Sequence, residues 1–345
     1  MIYIVHHSND LDGFFSGLQL AFVAHATNEK FVTVPYNYQE DLRVGSSSLF
    51  DIVESGDTVV FTDCFYKPKK WSDEECIQQY TLLNKNGVYL RLIDHHETSI
   101  KFVKENMPFF ESNFSGVRFS DIAEDAADKK ISAAMLCMMS DLKHLAFNTD
   151  VISLISDYDT FNNGNREEWD NHILPFQYGM RAASDLVDLF NICESGLYKK
   201  MIANKGKMDI DVCDIEKQGF AIMSYIESRN KIVGRNIIKG ECHLISGDEE
   251  TVYSNCAIVA DYCNNSLLFE QNLKEEYNNY DLLILARPNL LDRENTNVSI
   301  ISPRGEPNAA EICAKFGGGG HKGIGGCTVK LSFDDSEGYM KIILE

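Results

Sequence analysis

The sequence predicts an α/β protein of two domains: a mostly parallel, doubly wound N-terminal domain and a smaller α/β C-terminal domain, with a cleft between them. Three observations carry this. In the first half, short apolar runs alternate with helix-like stretches, the pattern of strands joined by crossover helices. At 345 residues the chain is too long for one compact core. Over residues 197–214 the pattern weakens, and Ala203-Asn204-Lys205-Gly206-Lys207-Met208 reads as a polar, glycine-containing linker. The expected division is a first domain over residues 1–200, a linker over 201–215 and a second domain over 216–345.

The elements follow in order. Residues 2–6 read as a buried strand, followed by a loop and a helix over about 14–26. Apolar runs at 58–62 and 88–93 read as two further strands, with helix-like stretches at 73–84 and 131–147. Past the linker come a long helix over about 215–229, strand-like runs at 242–246, 281–286, 298–302 and 327–331, and a helix over 309–316.

Composition narrows the function. Hydrophobic residues at 44% and charged residues at 24% suit a soluble globular protein. No apolar stretch approaches the ~20 residues that cross a bilayer. The N-terminus lacks the basic start and small-residue cleavage site of a secretory signal, so the expectation is cytoplasmic, with no membrane partner. The ten cysteines show no CxxC spacing and read as reduced, mostly buried thiols. A net charge of −20 argues against a long nucleic acid, whose binding comes largely from Lys and Arg displacing counterions. A small anionic ligand in a local pocket is still allowed.

Four segments carry chemistry, and each lies at the end of an apolar run or helix-like stretch. They are His6-His7-Ser8-Asn9-Asp10-Leu11-Asp12-Gly13, Thr62-Asp63-Cys64, Asp94-His95-His96 and Ser156-Asp157-Tyr158-Asp159. In a parallel sheet, ligands bind beyond the carboxyl ends of the strands. Carboxylates and imidazoles delivered there suit two divalent cations, with the imidazoles shifting preference toward Mn²⁺. Each segment has a plainer reading alone. Asp10 caps a helix, Asp63 sits in a turn, and Asp157 or Asp159 ends a helix. Four such segments in one chain favour the metal reading.

These segments resemble the motifs of the DHH phosphoesterase superfamily, whose naming triplet stands here as Asp94-His95-His96. The resemblance implies that His6, Asp10 and Asp63 hold one metal, while Asp12, Asp63, His95 and Asp157 hold the other. Asp63 then bridges, Asp94 orients the histidines and His96 faces the substrate phosphate. The Asp-Tyr-Asp form of the last motif leaves Asp159 as the alternative to Asp157.

Near the C-terminus, Phe316-Gly317-Gly318-Gly319-Gly320-His321-Lys322-Gly323 reads as a backbone anion site or as a hairpin tip. It is not a dinucleotide fingerprint, because a helix precedes it, nor a Walker A loop, because Lys322 follows His321. With the preceding Ala310-Glu311-Ile312-Cys313-Ala314-Lys315 it resembles the GGGH motif of the DHHA1 domain. That resemblance implies nucleotide binding by Gly318, Gly319, Gly320 and His321. Similar proteins often carry Arg in a Ser-x-Arg-Ser strand. Here Ser299-Ile300-Ile301-Ser302 places Ile301 there, with Arg304 as the nearby substitute.

The layout is similar to bacterial oligoribonuclease and pAp-phosphatase proteins. It implies a phosphodiesterase using two Mn²⁺, with Mg²⁺ or Co²⁺ as alternatives, and two-metal-activated water. The implied substrates are very short RNA, linear dinucleotides such as pGpG or pApA, or pAp. The other readings are a cyclic dinucleotide phosphodiesterase, a pyrophosphatase and a catalytically degenerate nucleotide-binding regulator. A homodimer is left open.

Overall fold

The computed structural model describes residues 1–38, 41–68, 71–85, 87–106, 108–109, 118–119, 131–139, 148–261, 267–289, 292–335 and 340–345. The chain forms two compact units, residues 1–223 and 224–345.

The first unit is built on strands β1 (Ile2–His7), β2 (Phe31–Tyr36), β3 (Thr58–Thr62), β4 (Tyr89–Ile93) and β5 (Arg118–Phe119), with α1 (Leu11–Ala26), α2 (Asp73–Lys85) and α3 (Glu97–Glu105) between them. The sheet order is β2-β1-β3-β4-β5, and every pairing is parallel. Strand side chains alternate between two buried layers, as a sheet covered on both faces requires. Ile4 and Val60 join α1 in one layer, while Tyr3, Val5, Val59 and Phe61 face the other. Helices α4 (Ala133–Met139), α5 (Thr149–Asp159), α6 (Leu174–Ala182) and α7 (Gly196–Ala203) contribute to the α1 layer through Cys137, Ile152, Met180 and Leu197. The far end of the helix expected over 131–147, residues 140–147, lies outside the described residues.

Helix α1 begins three residues before its expected start. Asp10 is its N-cap, with the side chain accepting from the Gly13 N–H at 3.0 Å. This places Asp12 and Gly13 inside the first turn. Gly13 lies against β1, where an added Cβ would overlap the His7 carbonyl oxygen.

The expected linker is helical at both ends. Its start closes α7, and its last residues open α8 (Val212–Val233), within which the two units divide. The second unit contains β6 (Ile238–Ser246), β7 (Glu249–Ala260), α9 (Leu267–Leu273), β8 (Leu282–Pro288), β9 (Thr296–Ile301) and α10 (Ala309–Ala314). They are followed by β10 (Gly319–His321), β11 (Ile324–Val329), β12 (Leu331–Asp334) and β13 (Lys341–Leu344). Its mixed sheet runs β10-β11-β9-β8-β7-β6-β13-β12. The glycine run forms one arm of the β10–β11 hairpin, Gly319 opposite Gly326 and Gly320 opposite Gly325. Packing accounts for two of these glycines. A Cβ on Gly318 would overlap the Gly326 carbonyl oxygen, and Gly320 has φ +142°. No helix among the described residues is long and apolar enough to cross a membrane. The described cysteines are all free, most of them buried.

Gly13→Ala is expected to lower stability by about 1–3 kcal/mol, since the neighbour it meets is backbone. Gly164→Ala, where an added Cβ meets nothing within 4 Å, is expected to unfold like the parent. Urea denaturation of the two variants compares them directly.

Candidate metal centre

Beyond the carboxyl ends of β1, β3 and β4 a buried cluster of acids and imidazoles forms, completed by the start of α1 and the end of α5. Asp63 is its middle. It follows β3 directly, is 1% exposed and adopts φ +55°, a conformation uncommon for a side-chain-bearing residue but one that Asp tolerates. Its backbone N–H is anchored to the Ile93 carbonyl at 2.9 Å. Neither carboxylate oxygen accepts a well-formed hydrogen bond. Around it stand His7 Nδ1 at 3.5 Å, His95 Nε2 at 3.3 Å and His96 Nδ1 at 3.8 Å. A buried carboxylate in this state lacks its compensation unless a cation supplies it.

Among the described residues, three groups of side chains converge closely enough to hold ions: His7, Asp10 and Asp63; Asp12, Asp63, His95 and Asp159; and Asp63, Asp94, His95 and His96. Asp63 belongs to all three. Asp10 divides its oxygens, one capping α1 and the other 3.1 Å from His7 Nδ1. Asp12 accepts the N–H groups of Ala133 and Ala134 at 2.8 and 2.9 Å, so it also caps α4. His95 Nε2 lies 2.9 Å from Asp159 and 3.7 Å from Asp12. Asp94 accepts from the backbone N–H of His95 and of His96 and lies 2.7 Å from His96 Nδ1, which sets the orientation of that ring. The mixture of carboxylates with imidazoles suits Mn²⁺ and similar divalent ions.

The charges strain against one another. Burial and then the Asp10 charge push the Asp63 carboxyl above its ordinary value. Burial, Asp63 and Asp159 push Asp12 well above it. Burial alone would depress the His7 and His95 imidazoles. The carboxylates of Asp10 and Asp63 at His7, and of Asp159 and Asp63 at His95, instead hold both well above the usual histidine range. Burial would raise Asp94, yet the neighbouring His96 keeps it well below the usual carboxylate range.

The structure brings together Asp10, Asp12, Asp63, Asp94, His95 and His96, and it sets His6 and Asp157 apart from these groups. His7, and not His6, stands beside Asp10 and Asp63. Successive strand residues face opposite sides, so His6 turns with Ile4 toward α1 and packs on Gly17. Burial there pushes the His6 imidazole down to about 4. Asp159, and not Asp157, meets His95. On α5 the buried positions are Val151, Ile152, Ile155 and Ser156, and Asp159 continues that face one turn on. Asp157 points elsewhere, bonded to Ser153 and Asn162. Strand alternation and helical periodicity were the available signals for both. Tyr38, which carries no motif, was missed; its ring meets the His7 ring edge-on with centroids 5.6 Å apart.

In the second unit, Arg304 is engaged by Asp281 at 3.0 Å and by the Asn278 carbonyl. Ile301 is a core residue packed with Leu283 and Leu285. His321 lies in β10 and Lys322 pairs with Glu306.

No family model and no curated protein matches the chain. Solved structures do align with it. An exopolyphosphatase-related protein from Bacteroides fragilis is 15% identical over 94% of this chain and 86% of that one, with a TM-score of 0.40. Exonuclease RecJ bound to manganese is 12% identical over 97% and 86%, with a TM-score of 0.44. An uncharacterized protein from Helicobacter pylori G27 is 16% identical over 95% and 93%, with a TM-score of 0.28.

Two outcomes follow from the electrostatics. Asp63→Asn removes a carboxylate that the fold disfavours and keeps a residue tolerant of positive φ. The metal-free variant is therefore expected to be at least as stable as the parent in urea. Its Mn²⁺ affinity by calorimetry is expected to fall by more than the roughly 10–100-fold that loss of an outer partner costs. Metal binding is also expected to release protons, because the neighbouring carboxylates favour the charged imidazoles of His7 and His95, which must be neutral to ligate. Mn²⁺ affinity should then climb with pH until the raised imidazole values are passed. Calorimetry in buffers of different ionisation enthalpy measures the release.

Proposed function

We propose that the chain is a metal-dependent phosphoesterase of the DHH type, using two Mn²⁺ ions to hydrolyse short nucleotide substrates. The observation that carries this reading is Asp63: buried, unsatisfied at both oxygens and shared by every ligand group around it. His7, Asp10 and Asp63 would hold one ion, and Asp12, Asp63, His95 and Asp159 the other. Such ions neutralise charge on a phosphoryl group and bring the ionisation of water close to neutral pH.

The protein's own groups supply the rest. Asp94 holds His96 through the ring nitrogen at 2.7 Å, and its charge raises the imidazole against the opposing effect of burial. His96 is then suited to donate a hydrogen bond to a phosphoryl oxygen. The Tyr38 phenol is kept neutral by burial, followed by the charge of Asp94, and its ring packs edge-on against His7. In the same reading, Gly318, Gly319, Gly320 and His321 bind the nucleotide portion. The net charge of −20 favours a small phosphorylated substrate over a long strand.

The deciding assay is a panel of linear dinucleotides, pAp, cyclic dinucleotides and pyrophosphate, each with Mn²⁺ and with chelator. Turnover of linear dinucleotides or pAp that chelation abolishes is the expected result. Turnover of pyrophosphate alone would replace the reading with a pyrophosphatase, and cyclic dinucleotides alone would move the substrate class. No metal-dependent turnover of any would leave a nucleotide-binding regulator.

A further inference from the structure

The cluster is strongly acidic, and an arginine meets the ring of the residue next to one of its members, Asp159. Arg181 lies in the last turn of α6, and its guanidinium carbon sits 5.6 Å from the centroid of the Tyr158 ring. Tyr158 directly precedes Asp159. Its ring is stacked on Trp169, with centroids 5.8 Å apart and planes 8° from parallel. Trp169 is buried at 4% exposure and receives the edge of Phe161 at 5.2 Å. Arginine, tyrosine and tryptophan thus form a column beside the helix end that presents Asp159.

Arg181 makes no hydrogen bond and no ion pair among the described residues. Its side chain is exposed to solvent, so its donors are open to a ligand. Its ring contact is with the residue that precedes Asp159, which sets the guanidinium at the helix end carrying that ligand. A cation–π contact holds a guanidinium by its face and leaves the in-plane N–H donors, which match the paired oxygens of a phosphate.

We propose that Arg181, carried on the Tyr158–Trp169 stack, binds a phosphate group of the substrate beside the metal ligands. The proposal rests on the phosphoesterase reading and adds to it the residue that recognises the anion. Lysine would not be equivalent here, since it lacks both the flat face and the fork.

The test compares the Mn²⁺-loaded parent with Arg181→Gln and Arg181→Lys. Steady-state kinetics on a linear dinucleotide, calorimetric binding of inorganic phosphate, and Mn²⁺ binding to the metal-free proteins are measured together. Arg181→Gln is expected to raise KM and weaken phosphate binding by about 10–100-fold, the range for loss of hydrogen bonds to a charged group. Its Mn²⁺ affinity should stay within about twofold of the parent, a change too small to account for that loss. Arg181→Lys should recover part of the loss. Should Arg181→Gln fail to fold, Arg181→Lys and Tyr158→Leu carry the test, each expected to raise KM by several-fold. An active parent whose variants keep its KM and phosphate affinity would overturn the role of Arg181 and leave the phosphoesterase reading standing. An equal loss in Mn²⁺ and substrate affinity would also overturn it, because Arg181 would then act through the metal ligands. A parent inactive on every substrate of the panel above would remove the phosphoesterase reading, and phosphate binding would still decide Arg181: a parent that binds phosphate more tightly than Arg181→Gln supports it, and equal binding overturns it.

Discussion

Mutual repulsion of buried carboxylates governs this molecule. Asp10, Asp12, Asp63, Asp94 and Asp159 come from four separate segments of the first unit, and Asp12, Asp63 and Asp94 are almost fully buried. Such a set is tolerated only with positive charge among them. His7, His95 and His96 stand among them, at ring-to-carboxylate distances of 2.7–3.8 Å, and the carboxylates favour their charged forms. Even so, neither oxygen of Asp63 has a well-formed hydrogen bond. The parallel sheet makes the gathering feasible. β1, β3 and β4 are adjacent and point the same way, so the residues after them emerge together at one edge.

Most of this arrangement was legible in the sequence, for a physical reason. Strand ends in parallel sheets are marked by an apolar run that stops, and Asp63 and Asp94 stop theirs abruptly. β3, Thr58–Thr62, spans the same residues that the pattern indicated. The differences between expected and observed groupings lie at a finer scale. His6 and His7 are adjacent, and choosing between them needs the face each takes, not the spacing to Asp10. The same holds for Asp157 and Asp159, which lie about 200° apart around a helix. Spacing between motifs locates a site; the parity of a strand or the phase of a helix decides which side chain enters it.

The second unit shows the opposite situation. Its glycine run is conspicuous in sequence, yet two of its glycines have a packing explanation in the β10–β11 hairpin, where backbone passes too close for a Cβ. Ile301 likewise answers to the core it fills with Leu283 and Leu285. Arg181 was invisible for another reason. It belongs to no motif, and its meaning depends on a ring in a different helix.

Asp12 has a consequence beyond charge. Both of its oxygens already take backbone N–H groups from the first turn of α4, while facing the ions the centre would hold. A cation held there would share this one side chain with the helix start. The seating of residues 133–134 would then respond to the filling of the centre, with the carboxylate as a shared hinge pin.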